Sequence, residues 1–162
     1  MARSVSGPDG RVTFRGRRDT LRRVSAPPTF DALTVGDSAP PLVLEPLTRT
    51  SFVRYAGASG DFNPMHHDDT VATKVGNPSV FGHGMLTAGL MARVVKDWFG
   101  PTAMRRFQVR FSKQVWPGDT LTCTATVTGK REEGGERLVD LACAVTNQDG
   151  VEVLSGTATA AP

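Results

Sequence analysis

Residues 84–99 form a segment that is apolar around most of a helical circumference. The apolar side chains are Met85, Leu86, Ala88, Leu90, Met91, Val94, Val95 and Trp98, and the main polar interruptions are Arg93, Lys96 and Asp97. A helix that is apolar on most sides is buried. Other elements of the chain are therefore expected to wrap this helix.

The sequence after this helix changes to a period of two, which is typical of half-buried strands. Alternating runs cover residues 107–111, 121–127, 141–145 and 151–160, and turn sequences rich in Gly, Pro and Asp separate them. Strands joined by tight turns form an antiparallel meander. The predicted fold class is α+β, with a curved antiparallel sheet around the long helix. An open sheet edge would also favour a dimer.

Shorter elements are expected before the long helix. Thr48 is a suitable N-cap for a helix with Phe52, Val53 and Ala56 on its apolar face, ended by Gly57 and Gly60. A second short helix is predicted from Asp68 or Asp69 to Val75, and residues 42–47 are predicted to form an edge strand flanked by prolines.

Charge is distributed unevenly along the 162 residues. Residues 1–28 hold seven arginines against Asp9 and Asp19, whereas residues 29–162 hold 12 basic and 14 acidic side chains. We predict a disordered basic extension over 1–28 and a single domain over 29–162, with no nucleic-acid or membrane partner. No apolar region follows Arg17-Arg18, so a cytoplasmic location is expected.

Cys123 and Cys143 share the parity of their apolar strand neighbours. Both are therefore expected to be buried free thiols without a catalytic role.

The chemistry-bearing residues lie in two short blocks. Gly60-Asp61-Phe62-Asn63-Pro64-Met65-His66 places a carboxylate and an imidazole five residues apart, and Gly82-His83-Gly84-Met85-Leu86 leads into the long helix. An acid/base pair followed by backbone amides at a helix start suits chemistry on a carbonyl compound.

Residues 55–66, 82–86 and 110–119 together resemble the MaoC-like hotdog family, which includes (R)-specific enoyl-CoA hydratases and β-hydroxyacyl-ACP dehydratases. The first block resembles the hydratase 2 motif G-D-x-N-P-x-H. The resemblance implies a long central helix wrapped by an antiparallel sheet, usually in a dimer with the acyl tunnel at the subunit interface. It also implies an acyl-CoA or acyl-carrier-protein substrate and no cofactor.

The resemblance further implies roles for individual residues. Asp61 and His66 match the catalytic pair that holds a water, and Gly84 matches the glycine whose N–H faces the thioester oxygen. Asn63 is expected to orient Asp61, His66 or the water, to form an Asx turn before Pro64, or to do both.

Substrate contacts are expected from Tyr55, His83, Met85, Arg110 and Lys113. His83 is either a second acid or a structural ring tied to the backbone. Arg105, Arg106, Arg110 and Lys113 are either contacts for CoA phosphates or a carrier protein, or solvated strand residues.

Two further features limit this interpretation. His67-Asp68-Asp69 resembles a metal cluster, but adjacent ligands point in different directions and no other spaced ligands are evident, so no metal is predicted. Ala92 occupies the position where some (R)-hydratases carry a serine.

The predicted function is a hydro-lyase that interconverts trans-2-enoyl and (R)-3-hydroxyacyl thioesters. One alternative is a hotdog thioesterase, which the sequence disfavours because residues 85–99 hold no Glu and only the distant Asp97. Another alternative is a subunit that is active only beside a second hotdog chain. A homodimer is expected, with a heterodimer as the other arrangement.

Overall fold

The computed structural model describes residues 26–162. The predicted basic extension over 1–28 lies outside the described residues, except for its last three positions. In chain order the elements are β1 (Leu42–Val43), α1 (Arg49–Ser59), α2 (Asp69–Lys74), α3 (Gly84–Phe99), β2 (Met104–Phe111), β3 (Thr122–Glu133), β4 (Glu136–Thr146) and β5 (Glu152–Ala160). Single 3-10 turns cover Phe30–Ala32 and Pro64–His66.

The five strands form one antiparallel sheet in the order β1-β3-β4-β5-β2. Strand β2 follows α3 in the chain yet lies at the far edge of the sheet, paired with β5. The sheet curls around α3, which contacts strands β2 to β5. The α+β prediction, with a curved antiparallel sheet around one long helix, is confirmed.

The core lies between α3 and the concave face of the sheet. The buried α3 side chains include Ala88, Met91, Val94, Val95 and Phe99, and they pack in one core with strand residues such as Cys123, Ala125, Val127, Leu141 and Val145. Full burial of an aliphatic side chain of this size contributes about 1.5–3 kcal/mol. Packing against the sheet therefore accounts for most of the stability of this helix.

One face of α3 is open, which corrects the prediction that it is wrapped on most sides. Met85 is 61% exposed, and Gly89 and Arg93 are also exposed. A single curved sheet covers only the side of the helix that faces it.

Helix α1 begins at the predicted cap. The Thr48 hydroxyl accepts from the Ser51 N–H at 3.1 Å, and the Ser51 hydroxyl accepts from the Thr48 N–H at 3.2 Å. The prediction was wrong on two points: Gly57 lies inside the helix, and Val53 is 53% exposed. Only Phe52 and Ala56, four residues apart, face the core, because side chains at this spacing share one helical face.

The remaining predictions of secondary structure differ only in extent. The strand predicted over 42–47 is two residues long and lies at the sheet edge, because Pro46 cannot donate to a ladder. Helix α2 is capped by the Asp68 carboxylate, which accepts from the Thr70 N–H at 2.8 Å.

Cys123 and Cys143 are buried free thiols, as predicted, and burial raises the pKa of each thiol to about 11.

Candidate active site

The loop after α1 folds back on itself through two successive side-chain-to-backbone hydrogen bonds. The Asp61 carboxylate accepts from the Asn63 N–H at 3.2 Å, and the Asn63 side-chain oxygen accepts from the Met65 N–H at 3.1 Å. Pro64 then starts a 3-10 turn that ends at His66. These Asx turns bring the Asp61 and His66 side chains close together.

Two roles were predicted for Asn63: orientation of the catalytic groups and formation of an Asx turn before Pro64. Its side chain forms the Asx turn, and its backbone N–H, rather than its amide, contacts the Asp61 carboxylate. A direct hydrogen bond from the Asn63 amide to His66 is absent within residues 26–162.

His66 is largely buried and has one ring nitrogen anchored. Its Nδ1 lies 2.7 Å from the carbonyl oxygen of Phe81. Because a carbonyl oxygen only accepts, Nδ1 carries the hydrogen, and in the neutral ring Nε2 bears the lone pair. The backbone of the loop before α3 therefore determines the tautomer that can act as a base.

His83 lies directly behind this pair and is only 2% exposed. Its Nε2 donates to the Asp61 carbonyl oxygen at 3.0 Å, which is the tie to the backbone expected of a structural histidine. Its ring lies 3.7 Å from the His66 ring and 5.0 Å from the Tyr55 ring, between centroids. Within the described part of the chain, His83 Nδ1 is the one buried side-chain nitrogen or oxygen without a partner.

The prediction that no spaced metal ligands are available was wrong. His67, Asp68 and Asp69 do point to separate partners: the Phe62 carbonyl, the Thr70 N–H, and Arg49 with the Val80 N–H. However, ligand atoms of Asp61, His66 and His83 all lie within 4.8 Å of one another, so spaced ligands are available. Because His83 lies 22 residues after Asp61 in the chain, the sequence alone does not show that these ligands lie together. A metal-free site stays a prediction.

Gly84 begins α3 beside this group. The structure gives its N–H no acceptor among the described residues, as expected for the first N–H groups of a helix. A Cβ at Gly84 would lie 3.2 Å from the Phe111 ring. The helix dipole and this free N–H favour negative charge at this position.

A pocket of about 280 Å³ opens beside Gly84 and is lined by residues that include Phe81, Thr87, Phe111, Lys113 and Val153. A larger groove of about 970 Å³ lies between β1 and the end of α3, and none of the candidate site residues lines it. The smaller pocket is therefore the one that adjoins candidate site residues, since Gly84 and Lys113 line it.

The other predicted contacts are dispersed. Tyr55 is half-buried against His83, Met85 is exposed, and Arg110 is exposed on β2. Arg105 differs from its neighbours, because it forms a 2.7 Å ion pair with Glu136, and this hydrogen bond lowers the pKa of Glu136. Arg106, Arg110 and Lys113 are exposed as well, and they form no ion pair among the described residues.

Sequence reasoning did not single out Phe81 or Phe111. Phe81 supplies the carbonyl that anchors His66, and the Phe111 ring lies against Gly84. Both contacts join residues far apart in the chain. Every residue has a backbone carbonyl, so the identity of residue 81 does not indicate that its carbonyl anchors His66. Phe111 could have been found as the apolar end of the 107–111 alternation.

The chain matches a family model described as MaoC like domain over residues 35–148. An (R)-specific enoyl-CoA hydratase from Rhodospirillum rubrum is 32% identical over 132 residues, which cover 80% of this chain and 88% of the relative. Other curated relatives are much longer, and the chain spans 8%, 16% and 5% of the length of three of them.

Solved structures have the same fold. The unliganded R-hydratase PhaJ1 from Pseudomonas aeruginosa has a TM-score of 0.73 at 27% identity, covering 83% of this chain and 85% of that one. A chain of the ChsH1-ChsH2 complex from Mycobacterium tuberculosis has a TM-score of 0.69 at 28% identity, covering 79% and 97%. This chain therefore belongs to the MaoC-like family and has the hotdog fold of these structures.

Proposed function

We propose that the chain catalyses the reversible addition of water to trans-2-enoyl thioesters, giving (R)-3-hydroxyacyl thioesters. One observation carries this proposal: His66 has its Nδ1–H anchored on the Phe81 carbonyl and its Nε2 free, next to the Asp61 carboxylate and the start of α3. Such a pair can hold and deprotonate a water. The hydratases among its relatives support the same reaction.

The reaction balances on these groups. A water held by Asp61 and His66 loses a proton to the pair as its oxygen bonds to C3. The C2–C3 π electrons move toward the thioester carbonyl. The developing enolate oxygen accepts a hydrogen bond from the Gly84 N–H at the positive end of α3. Proton transfer from the pair to C2 completes hydration, and the reverse sequence is dehydration.

The carrier of the acyl group belongs to the same proposal. Arg106, Arg110 and Lys113 are exposed on or just beyond β2, and Lys113 also lines the pocket beside Gly84. Guanidinium and ammonium groups suit the phosphates of CoA or the acidic surface of a carrier protein. Turnover of matched enoyl-CoA and enoyl-carrier-protein substrates would distinguish the two.

A partner hotdog chain is also part of the proposal. Strand β2 is an edge strand, and edge strands present unpaired backbone groups that another chain can join. Phe62, Met85 and Phe111 are large exposed apolar side chains near the site, which favours a covering subunit. We propose a homodimer, with a heterodimer of the ChsH1-ChsH2 kind as the alternative.

The thioesterase alternative receives less support. Helix α3 has Asp97 as its only carboxylate, and Asp97 is exposed and paired with Arg93 at 3.1 Å. It lies at the opposite end of the helix from Gly84. A carboxylate in that position cannot hold a water over the thioester at the start of α3.

The proposed setting is the cytoplasm, without nucleic-acid or membrane partners. None of the helices in the described residues has the length and hydropathy of a membrane span. The body of the chain, residues 29–162, is slightly acidic, which does not favour binding to phosphate backbones.

The first experiment measures loss of enoyl absorbance with short- and medium-chain trans-2-enoyl-CoA. Asp61→Asn and His66→Ala are expected to lose about 100-fold or more in kcat/KM, since general acid/base catalysis contributes on this scale. Asp97→Asn is the matched carboxylate control and should retain full activity. Turnover that survives in both site variants would exclude the proposed pair.

Two additional measurements test the alternatives. Dialysis against a chelator should leave hydration unchanged, and a loss restored by a divalent ion would contradict the metal-free mechanism. A folded wild-type chain that turns over only after a second hotdog chain is added would favour the partner-dependent subunit.

A further inference from the structure

His83 connects three parts of the candidate site: the Asp61 loop, the His66 ring and the start of α3. It is the N-cap residue of α3 and so directly precedes Gly84. Its ring lies against the His66 ring at 3.7 Å between centroids, with an interplanar angle of 30°. Its Nε2 binds the backbone of Asp61 across 22 residues of chain.

The hydrogen bonds determine which ring nitrogen carries the proton. Nε2 lies 3.0 Å from the Asp61 carbonyl oxygen, which can only accept, so Nε2 is the donor. The Asp61 carboxylate lies farther from the same nitrogen, at 4.0 Å. His83 therefore hydrogen-bonds to the backbone of Asp61 and not to its carboxylate, which accepts from the Asn63 N–H instead.

The other ring nitrogen shows that this position is not optimised for stability alone. Nδ1 is buried without a donor among the described residues, and a buried acceptor of this kind lowers stability. An apolar ring of similar shape would avoid that loss. Histidine combines two contacts here that an apolar ring cannot combine: the Nε2–H donor to Asp61 and a flat ring against His66.

We propose that His83 is a positioning residue, which sets the distance between the Asp61–His66 pair and the Gly84 amide. Its hydrogen bond ties the Asp61 loop to the residue before Gly84, and its ring limits the movement of the His66 ring. The proposal deepens the proposed function, because it concerns how the same site is held for the reaction.

Two variants separate the donor from the ring. His83→Phe keeps a flat ring and removes both nitrogens, whereas His83→Gln offers an amide N–H that can reach the Asp61 carbonyl. For His83→Phe we expect kcat to fall about 10- to 100-fold with little change in KM, because misplacement of catalytic groups acts on the chemical step. The melting temperature should change little, because loss of the Nε2 hydrogen bond offsets removal of the unpaired Nδ1. His83→Gln should recover most of kcat.

A second readout does not need turnover. The Asn63 N–H donates to the Asp61 carboxylate, so its amide resonance in a 15N–1H spectrum reports the position of that carboxylate. It should shift in His83→Phe and return toward the wild-type position in His83→Gln. If the wild type does not hydrate enoyl thioesters, the proposed function fails, while this spectrum still tests the positioning role.

Three results would overturn the proposal. The first is wild-type kcat together with an unchanged Asn63 resonance in His83→Phe. The second is an equal loss of kcat in the Phe and Gln variants with a lowered melting temperature in both, which would make His83 a core residue only. The third is failure of both variants to fold. Where the Phe variant alone does not fold, His83→Asn replaces it, because its amide is too short to reach the Asp61 carbonyl.

Discussion

Two backbone carbonyls organise the proton chemistry of the candidate site. The Phe81 carbonyl accepts from His66 Nδ1, and the Asp61 carbonyl accepts from His83 Nε2. Each bond leaves the opposite ring nitrogen with a lone pair. At the residue scale the site thus depends on main-chain atoms, which substitutions of neighbouring side chains leave in place.

Gly84 provides a direct test at this scale. A methyl group there would lie 3.2 Å from the Phe111 ring and would narrow the approach to the free N–H. We expect Gly84→Ala to lower kcat/KM about 10- to 100-fold, since small displacements near reacting atoms have this effect. Steady-state hydration kinetics measure it.

Gly89→Ala on the same helix is the control. A Cβ at Gly89 meets nothing within 4 Å, so this change should preserve activity and add up to about 1 kcal/mol of stability. Adding Phe111→Leu to Gly84→Ala should restore part of the lost activity. Full activity in Gly84→Ala alone would remove the Gly84 amide from the proposed mechanism.

At the scale of elements, Asp69 joins α1, α2 and the loop before α3. Its carboxylate pairs with Arg49 at 2.7 Å and accepts from the Val80 N–H at 2.9 Å. The loop that it holds also carries Phe81, whose carbonyl anchors His66. An ion pair between α1 and α2 therefore supports the position of the His66 ring in the site.

This arrangement predicts a pH dependence of stability. The hydrogen bond from Arg49, and then that from Val80, hold the pKa of Asp69 below its usual value. A depressed folded-state pKa contributes stability above the unfolded-state pKa of about 4, and that contribution disappears as the pH falls through the folded-state value. The difference in unfolding free energy between wild type and Asp69→Asn should thus be present at pH 6 and vanish under acid.

Urea unfolding between pH 3 and pH 7 (a range chosen to bracket the carboxylate pKa of about 4) measures this difference. Asp97→Asn, which removes an exposed charge from α3, is the control. A difference between wild type and Asp69→Asn that is independent of pH would contradict the assignment.

Strands β2 and β5 approach closely at one glycine. A Cβ at Gly156 would lie 2.2 Å from the Gln108 carbonyl oxygen, which belongs to the backbone and cannot rotate away. We expect Gly156→Ala to destabilise the fold by about 1–3 kcal/mol or more, as overpacking does. Chemical denaturation measures it, with Gly129→Ala as the control, because a Cβ there makes an ordinary 3.7 Å contact with Asp140.

At the scale of the whole molecule, the open edge at β2 and the exposed Phe62, Met85 and Phe111 near the site are proposed to form one interface with a second chain. Light scattering after size exclusion should give a mass of about two chains for the wild type, as expected of a closed two-fold assembly. Met85→Glu should lower the dimer fraction, because a charge buried at an interface costs more than a methionine.

Val35→Glu is the control for the dimer. Val35 is 65% exposed, so it matches Met85 in exposure, but it lies beside β3 at the other side of the sheet. Equal loss of the dimer in both variants would argue against an interface at β2 and the start of α3. A monomeric wild type with full activity would remove the covering subunit from the proposal.

The sequence by itself determined which helices and strands form, and it placed the candidate residues Asp61 and His66 in one short block. Alternation at 107–160 and the apolar run at 84–99 depend on side chains a few residues apart, and so do the Thr48 cap and the spacing of Asp61 from His66. These patterns are local, and the structure contains each element, although β3 and β4 extend well beyond the alternating runs. The predicted reaction came from the resemblance of three blocks to the MaoC-like family, because the local patterns alone do not specify a substrate.

Only the tertiary structure decided how the groups are held. His66 binds a carbonyl 15 residues away, His83 binds one 22 residues away, and Phe111 lies on Gly84 from a different element. Such contacts depend on the path of loops over the sheet, and backbone acceptors are the same in every residue. The open face of α3 likewise depends on how far one sheet can wrap, which hydrophobic periodicity alone does not encode.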